Sequence, residues 1–239
     1  MHDTLSLVAD LDAMGIRRSD TLLIHSSMKS IGEVAGGADA VLDALMAYFK
    51  DEGLLVFPTL TYRVVNAQNP CFDVRFTPVS TGILPELFRQ RQGVMRSLHP
   101  THSVAACGRD AAEFVAGHEK AVTPAPVGSP WWKLLQRKGK ILFVGTGISC
   151  NTFLHGVDEW LQLPGMLSEA PENLEIIDCN GNKMFMPLHR HAVGRNVYYG
   201  SLEARFEAAG ALKRGRFGSA ECHVLDCEKI AAVQGYSIK

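Results

Sequence analysis

The sequence lacks most of the features that single out a special class of protein. Its six cysteines (Cys71, Cys107, Cys150, Cys179, Cys222 and Cys227) include no C-x-x-C pair, which argues against a zinc knuckle or a thioredoxin-type redox pair. At 239 residues the chain buries a core without covalent staples, so the thiols are expected reduced, in a cytoplasm. Cys222 and Cys227 read as packing residues in a strand and at its end. An excess of one charge is also missing. Lys and Arg total 24 against 25 Asp and Glu, a net −1, which leaves no electrostatic footprint for nucleic acid and no polybasic tail for a membrane. No apolar stretch approaches the ~20 residues of a membrane span, and the N-terminus has neither the basic nor the apolar region of a signal peptide. There is no G-x-S-x-G elbow, G-x-G-x-x-G fingerprint or P-loop, and no internal repeat. What remains, 46% hydrophobic and 21% charged, is an ordinary globular composition.

Periodicity then organises the chain. Leu5, Leu7, Val8 and Leu11 predict a helix over 4–14, closed by Gly15. Thr21 to Ile24 is a short apolar strand, Val41 to Phe49 a helical stripe, and Leu54 to Phe57 a continuous apolar strand of the kind buried in parallel sheets. One right-handed β-α-β unit is expected there. Residues 59–79 read as irregular, and so long a loop is usually functional. Further helices are predicted over 84–91, 111–119, 131–136 and 202–209, with strands at 103–106, 141–144 and 220–225. Asn180-Gly181 between two alternating runs, 174–178 and 183–187, predicts a hairpin. The expected fold is α/β: a three-layer α/β/α sandwich with a mixed central sheet and an α+β C-terminal part, one domain over 1–239.

Four stretches can carry chemistry. The strand 141–144 ends in Gly145-Thr-Gly147, after which Asn151 opens a helix bearing His155, with Asp158 and Glu159 three and four residues on. That spacing puts a carboxylate on the face of the imidazole, as an oriented general base requires; either acid can serve. Ile24-His25-Ser26-Ser27-Met28-Lys29-Ser30 follows a parallel strand, where hydroxyls, an imidazole and an ammonium suit an anionic or amide-rich ligand, or merely cap the next helix. Ser80 and Thr81 precede a helix start, offering amides to a ligand or a plain cap. In Arg96-Ser-Leu-His99-Pro-Thr-His102-Ser103 two histidines invite a metal, but the proline disfavours a helix and no third ligand is evident. His189-Arg190-His191 also offers only two, so no metal is expected.

Taken in order, these segments resemble the aminoglycoside 3-N-acetyltransferase family. The likeness runs through His25-Ser-Ser, Gly36-Gly-Ala-Asp, Gly53-Leu-Leu-Val-Phe-Pro-Thr, Phe72-Asp, Arg96-Ser-Leu-His-Pro-Thr-His-Ser, Gly128-Ser-Pro, Asn151-Thr-Phe-Leu-His and Gly210-Ala-Leu-Lys-Arg-Gly-Arg-Phe-Gly. It implies a fold unrelated to the common GNAT acetyltransferases and direct acetyl transfer from acetyl-CoA to an amine of an aminoglycoside or related amino sugar, in resistance or in biosynthesis. It further implies His155 beside the reacting amine and Thr152 facing the thioester. His25, Ser26, Ser27, Lys29, Ser80, Thr81, Arg96, His99 and Ser103 would line the coenzyme A groove, with Arg96 or Lys29 on its phosphates. Residues 1–150 would mainly hold the coenzyme and 151–239 the acceptor. The family carries Glu three residues after the histidine; Asp158 stands there instead. A monomer or homodimer is expected. Alternatives are a biosynthetic N-acyltransferase for a non-antibiotic amine, a non-catalytic acyl-CoA-binding protein, and a hydrolase using Ser149 or Cys150. The sparse acidity, and the basic stretch His189, Arg190, His191 and Arg195, predict that aminoglycosides are poor acceptors.

Overall fold

The computed structural model describes residues 1–192 and 196–238. The chain runs α1 (Thr4–Ala13), β1 (Thr21–Ser26), α2 (Met28–Ile31), α3 (Gly37–Phe49), β2 (Leu54–Pro58), β3 (Cys71–Asp73), α4 (Ile83–Phe88), β4 (Met95–Arg96), β5 (Val104–Gly108), α5 (Ala111–Val115), α6 (Pro130–Gln136) and β6 (Lys140–Val144). It continues through α7 (Thr152–Trp160), β7 (Glu172–Ile177), β8 (Lys183–Leu188), α8 (Asn196–Ser201), α9 (Glu203–Ala208), β9 (Leu212–Phe217), β10 (Ala220–Asp226) and α10 (Cys227–Val233).

Seven of the described strands form one mixed sheet in the order β4-β5-β2-β1-β6-β10-β9. At its centre β1 pairs in parallel with both β2 and β6, and the outer pairings are antiparallel. Alternation along the strands divides the core between two faces. Leu22, Ile24, Leu142 and Val144 pack under α1, α3 and α4; Leu23, Ile141 and Phe143 pack under α5, α6, α7, α9 and α10. That is the expected three-layer sandwich. Because α3 crosses to β2 on one face while α5 and α6 lead to β6 on the other, the sheet reverses its winding at β1. Ligands bind at such a reversal, outside the carboxyl ends of the strands.

A second sheet, β3-β7-β8, contains the predicted hairpin. Its strand β3 falls within the stretch read as irregular, and parallel pairing to β7 fixes it there. Cys227 is corrected: it starts α10 rather than ending a strand, because the Asp226 side chain accepts from the Lys229 amide and caps a helix.

Candidate active site

A cleft of 660 Å³ opens at the carboxyl ends of β1 and β6, a size suited to a small-molecule ligand. Gly145 opens the turn that brings Thr146 into its lining. With φ at +61° and Ser30 Cβ 2.1 Å from where a Cβ would stand, only glycine fits where β6 turns against α2. Asn151 then caps α7 by accepting from the Phe153 amide, which sets Thr152 in the first turn and His155 on the cleft wall.

His155 is oriented through a phenol. Tyr199 Oη donates to Asp158 Oδ2 at 2.7 Å and lies 3.1 Å from His155 Nδ1. A phenol has one proton, and here the carboxylate takes it. The Tyr199 oxygen therefore accepts from Nδ1–H, and His155 Nε2 is left as the nitrogen with a lone pair. Both Asp158 and Tyr199 are buried. Glu159, the other candidate, holds a different ring: its Oε2 accepts from His191 Nε2 at 2.8 Å and from the Ala125 amide, while Oε1 accepts from the Thr123 hydroxyl. His191 stacks on His155, with centroids 5.2 Å apart and planes 19° from parallel. Its Nδ1 is buried, with no hydrogen-bond partner. His102 meets His191 edge-on; burial first, then the neighbouring histidines, holds it well below the ordinary imidazole range.

Other residues of the lining carry buried polar atoms with no partner: His25 Nε2, Ser26 Oγ, Ser80 Oγ and Thr146 Oγ1. Such atoms cost free energy until something pairs with them. His25 lies flat on Phe143, and burial pushes it down to about 3. Thr81 also lines the cleft, although its hydroxyl donates to Pro58 O.

The remaining sequence candidates stand elsewhere. Ser27 accepts from the Ser30 hydroxyl, and neither it nor Lys29 is in the lining. Arg96, expected on coenzyme phosphates, is not in the cleft lining; it is a part-buried clamp that donates to Thr59 O, Thr77 O and Val74 O and lies over the Phe72 ring. Burial pulls its guanidinium down to about 9. Ser103 donates to Thr59 O, and His99 accepts the Thr101 and His102 amides at Nδ1; both are buried within the fold, outside the groove assigned to them. Arg195 lies outside the described residues. Sequence reasoning missed Tyr199, Tyr62, Arg63 and Thr146. Tyr199 is 44 residues from its histidine, and no local pattern announces it. Among the described residues no group of three His, Cys, Asp or Glu is placed to hold a metal, and no helix is long and apolar enough to cross a membrane.

Comparison with known proteins gives a consistent result. Residues 23–236 match the family model described as Aminoglycoside 3-N-acetyltransferase. The chain is 28% identical over 243 residues to the SPbeta prophage-derived aminoglycoside N(3')-acetyltransferase-like protein YokD of Bacillus subtilis (strain 168), covering 92% of this chain and 86% of that one. It is 27% identical over 253 residues to aminoglycoside N(3)-acetyltransferase VII of Streptomyces paromomycinus, covering 94% and 87%. The solved structure of AAC-IIIb in a binary complex with CoASH shares the fold, with a TM-score of 0.84 at 22% identity over 99% of this chain and 98% of that one.

Proposed function

Because the chain belongs to the aminoglycoside 3-N-acetyltransferase family, we propose that it passes the acetyl group of acetyl-CoA directly to a primary amine, with His155 as general base. The observation that carries this reading is the His155–Tyr199–Asp158 relay on the cleft wall. An alkylammonium has no lone pair, so His155 Nε2 takes its proton, a step for which a positioned base is worth ~10²–10⁴-fold. The nitrogen then bonds to the thioester carbonyl carbon and the π pair moves to oxygen. As that oxyanion collapses, the C–S bond breaks, the thiolate receives the proton held on His155, and the nitrogen, still carrying one proton too many after attack, releases it to solvent, so that the products are the neutral amide, the free thiol and one proton. Between these events His155 is a cation, and Nδ1–H donation through Tyr199 to the Asp158 carboxylate stabilises it.

For the oxyanion, the Thr152 amide, which has no acceptor within α7, and the Thr146 hydroxyl are candidate donors in the lining; one such donor is worth about 3 kcal/mol. The unpaired atoms of His25, Ser26 and Ser80 suit the amide and carbonyl groups of the coenzyme arm. In this reading residues 1–150 supply most of the coenzyme wall and residues 151–239 the base and acceptor wall. The turn at Tyr62 and Arg63 is the exception, since it reaches the acceptor side.

A thiol-release assay with acetyl-CoA across an amine panel tests the proposal. His155→Ala should lower kcat by at least ~10²-fold while calorimetric acetyl-CoA affinity changes by less than about twofold. Near-normal turnover removes His155 from the mechanism. Thiol release without any amine would favour a hydrolase, and tight coenzyme binding without release a binding protein.

A further inference from the structure

Resting on the transferase reading and deepening it, we infer that the acceptor is a small primary amine that itself carries an anionic group, and that Arg63 receives that group. The described residues lining the cleft include no Asp or Glu, yet they include Arg63 and Arg190 as well as His102, His155 and His191. The carboxylates that contact the lining residues are engaged by other groups. Asp158 is buried behind Tyr199, and Glu159 is spent on His191, Thr123 and Ala125. Glu172 sits 2.8 Å from Arg190 Nε and neutralises that guanidinium, which also donates to Val65 O.

Arg63 is different. It is exposed at the cleft, its guanidinium 5.7 Å from the Tyr62 ring centroid, and among the described residues no carboxylate pairs with it. Nor is it carried on a loose loop. Thr59 and Thr61 donate their amides to Ser103 O and Thr101 O, and Val64 and Val65 donate theirs to Thr61 O. These bonds, with Arg190 on Val65 O, fix the turn that presents Arg63. Tyr62 lies against His102, and His102 against His191, so this turn belongs to the side of the cleft that holds the paired imidazoles.

A polycation entering this cleft finds no carboxylate to replace its water and meets an uncompensated guanidinium, a repulsion that grows as solvent is excluded. An amine bearing a carboxylate or phosphate finds a fork-shaped donor able to bind it through two hydrogen bonds. The anion would anchor the substrate at Arg63 while its amine reaches His155.

Calorimetry on the CoA-loaded protein reads this directly, with two matched pairs, glucosamine 6-phosphate against glucosamine and β-alanine against its methyl ester, plus kanamycin. In at least one pair the member with the anionic group should bind at least 10-fold tighter than the member without it, and kanamycin more weakly than that tighter member. Arg63→Ala should remove that preference while changing the affinities for CoA and for the amines without an anionic group by less than twofold, and Arg63→Lys should keep part of it. Equal affinities within both pairs, or kanamycin binding tightest, would overturn the inference. So would an Arg63→Ala variant that loses CoA affinity instead, which would assign Arg63 to the coenzyme phosphates. Thiol release with acetyl-CoA is scored separately. A surviving anion preference with no release from any amine refutes the transferase reading alone, whereas release that is fastest with kanamycin refutes the charge inference alone.

Discussion

Replacing Tyr199 by Phe tests the relay with the least disturbance to packing, because the ring stays and one oxygen goes. Two hydrogen bonds disappear: the 2.7 Å bond to Asp158 and the 3.1 Å contact with His155 Nδ1. While His155 is neutral, losing its Nδ1–H acceptor costs little beyond an ordinary hydrogen bond. Once it is protonated, the same loss removes a charge-assisted chain ending on a buried carboxylate, worth roughly 1.5–3 kcal/mol. At 1.36 kcal/mol per decade the expected fall in kcat is about 10- to 150-fold. Because the interaction strengthens only as charge develops, KM for acetyl-CoA should stay within about twofold. The assay is pre-steady-state thiol release at saturating amine, which reads the chemical step apart from product release. A kcat within threefold of the parent protein, at unchanged stability, would show that the phenol is a spacer and that His155 needs no relay.

Asp158→Asn should lower kcat by at least ~10-fold, whereas Glu159→Gln should act mainly on stability, by about 1–3 kcal/mol in urea unfolding, since Glu159 satisfies Thr123, Ala125 and His191; the reverse order would make Glu159 the orienting acid. Arg96→Ala should cost about 3 kcal/mol of stability by taking the donor from the Thr77 and Val74 carbonyls, with KM for acetyl-CoA unchanged; a raised KM at full stability would return Arg96 to the coenzyme. His25 and His118 are pushed down to about 3 by burial, and His99 well below its ordinary value by burial and then by His118. An unfolded chain protonates these rings below about 6.5 while the folded one does not, so stability is full above pH 6.5 and falls as pH drops toward 3, by up to about 1.4 kcal/mol per pH unit for each histidine. Urea midpoints at pH 8, 6 and 5 check this, and a flat series would contradict it.

Most of what could be read in the sequence was local. The apolar runs of β1, β2 and β6, the helical stripe of α3 and the Asn-Gly turn are short-range patterns, and each stands within a few residues of its expected place. The cap at Asn151 and the carboxylates one turn beyond His155 are short-range too. What escaped notice depends on distant partners. Which acid serves His155 is decided by Tyr199 and by Thr123, neither of them near the motif in sequence. An arginine among serines and histidines reads equally as a phosphate ligand or a carbonyl clamp, and only the approach of Thr59, Thr77 and Phe72 brings out the contacts that Arg96 makes. Strand β9 went unrecognised because, as an edge strand, it carries Lys213, Arg214 and Arg216 along its exposed middle, with burial only at Leu212 and Phe217.

The two stacked imidazoles hang from neighbouring positions of a single helix, Asp158 holding one through Tyr199 and Glu159 holding the other. A change that tilts α7 misaligns both at once: at Gly156 an added Cβ would crowd Trp160 at 3.0 Å and Ala125 at 3.2 Å. Proton handling in this protein is therefore hard to alter piecemeal. The turn at residues 62–63 touches neither anchor and is pinned by its own backbone, so its side chains can be exchanged without moving the base. On the proposed reading this division separates charge preference from proton transfer, and it makes residues 62 and 63 the natural place to begin re-engineering the acceptor.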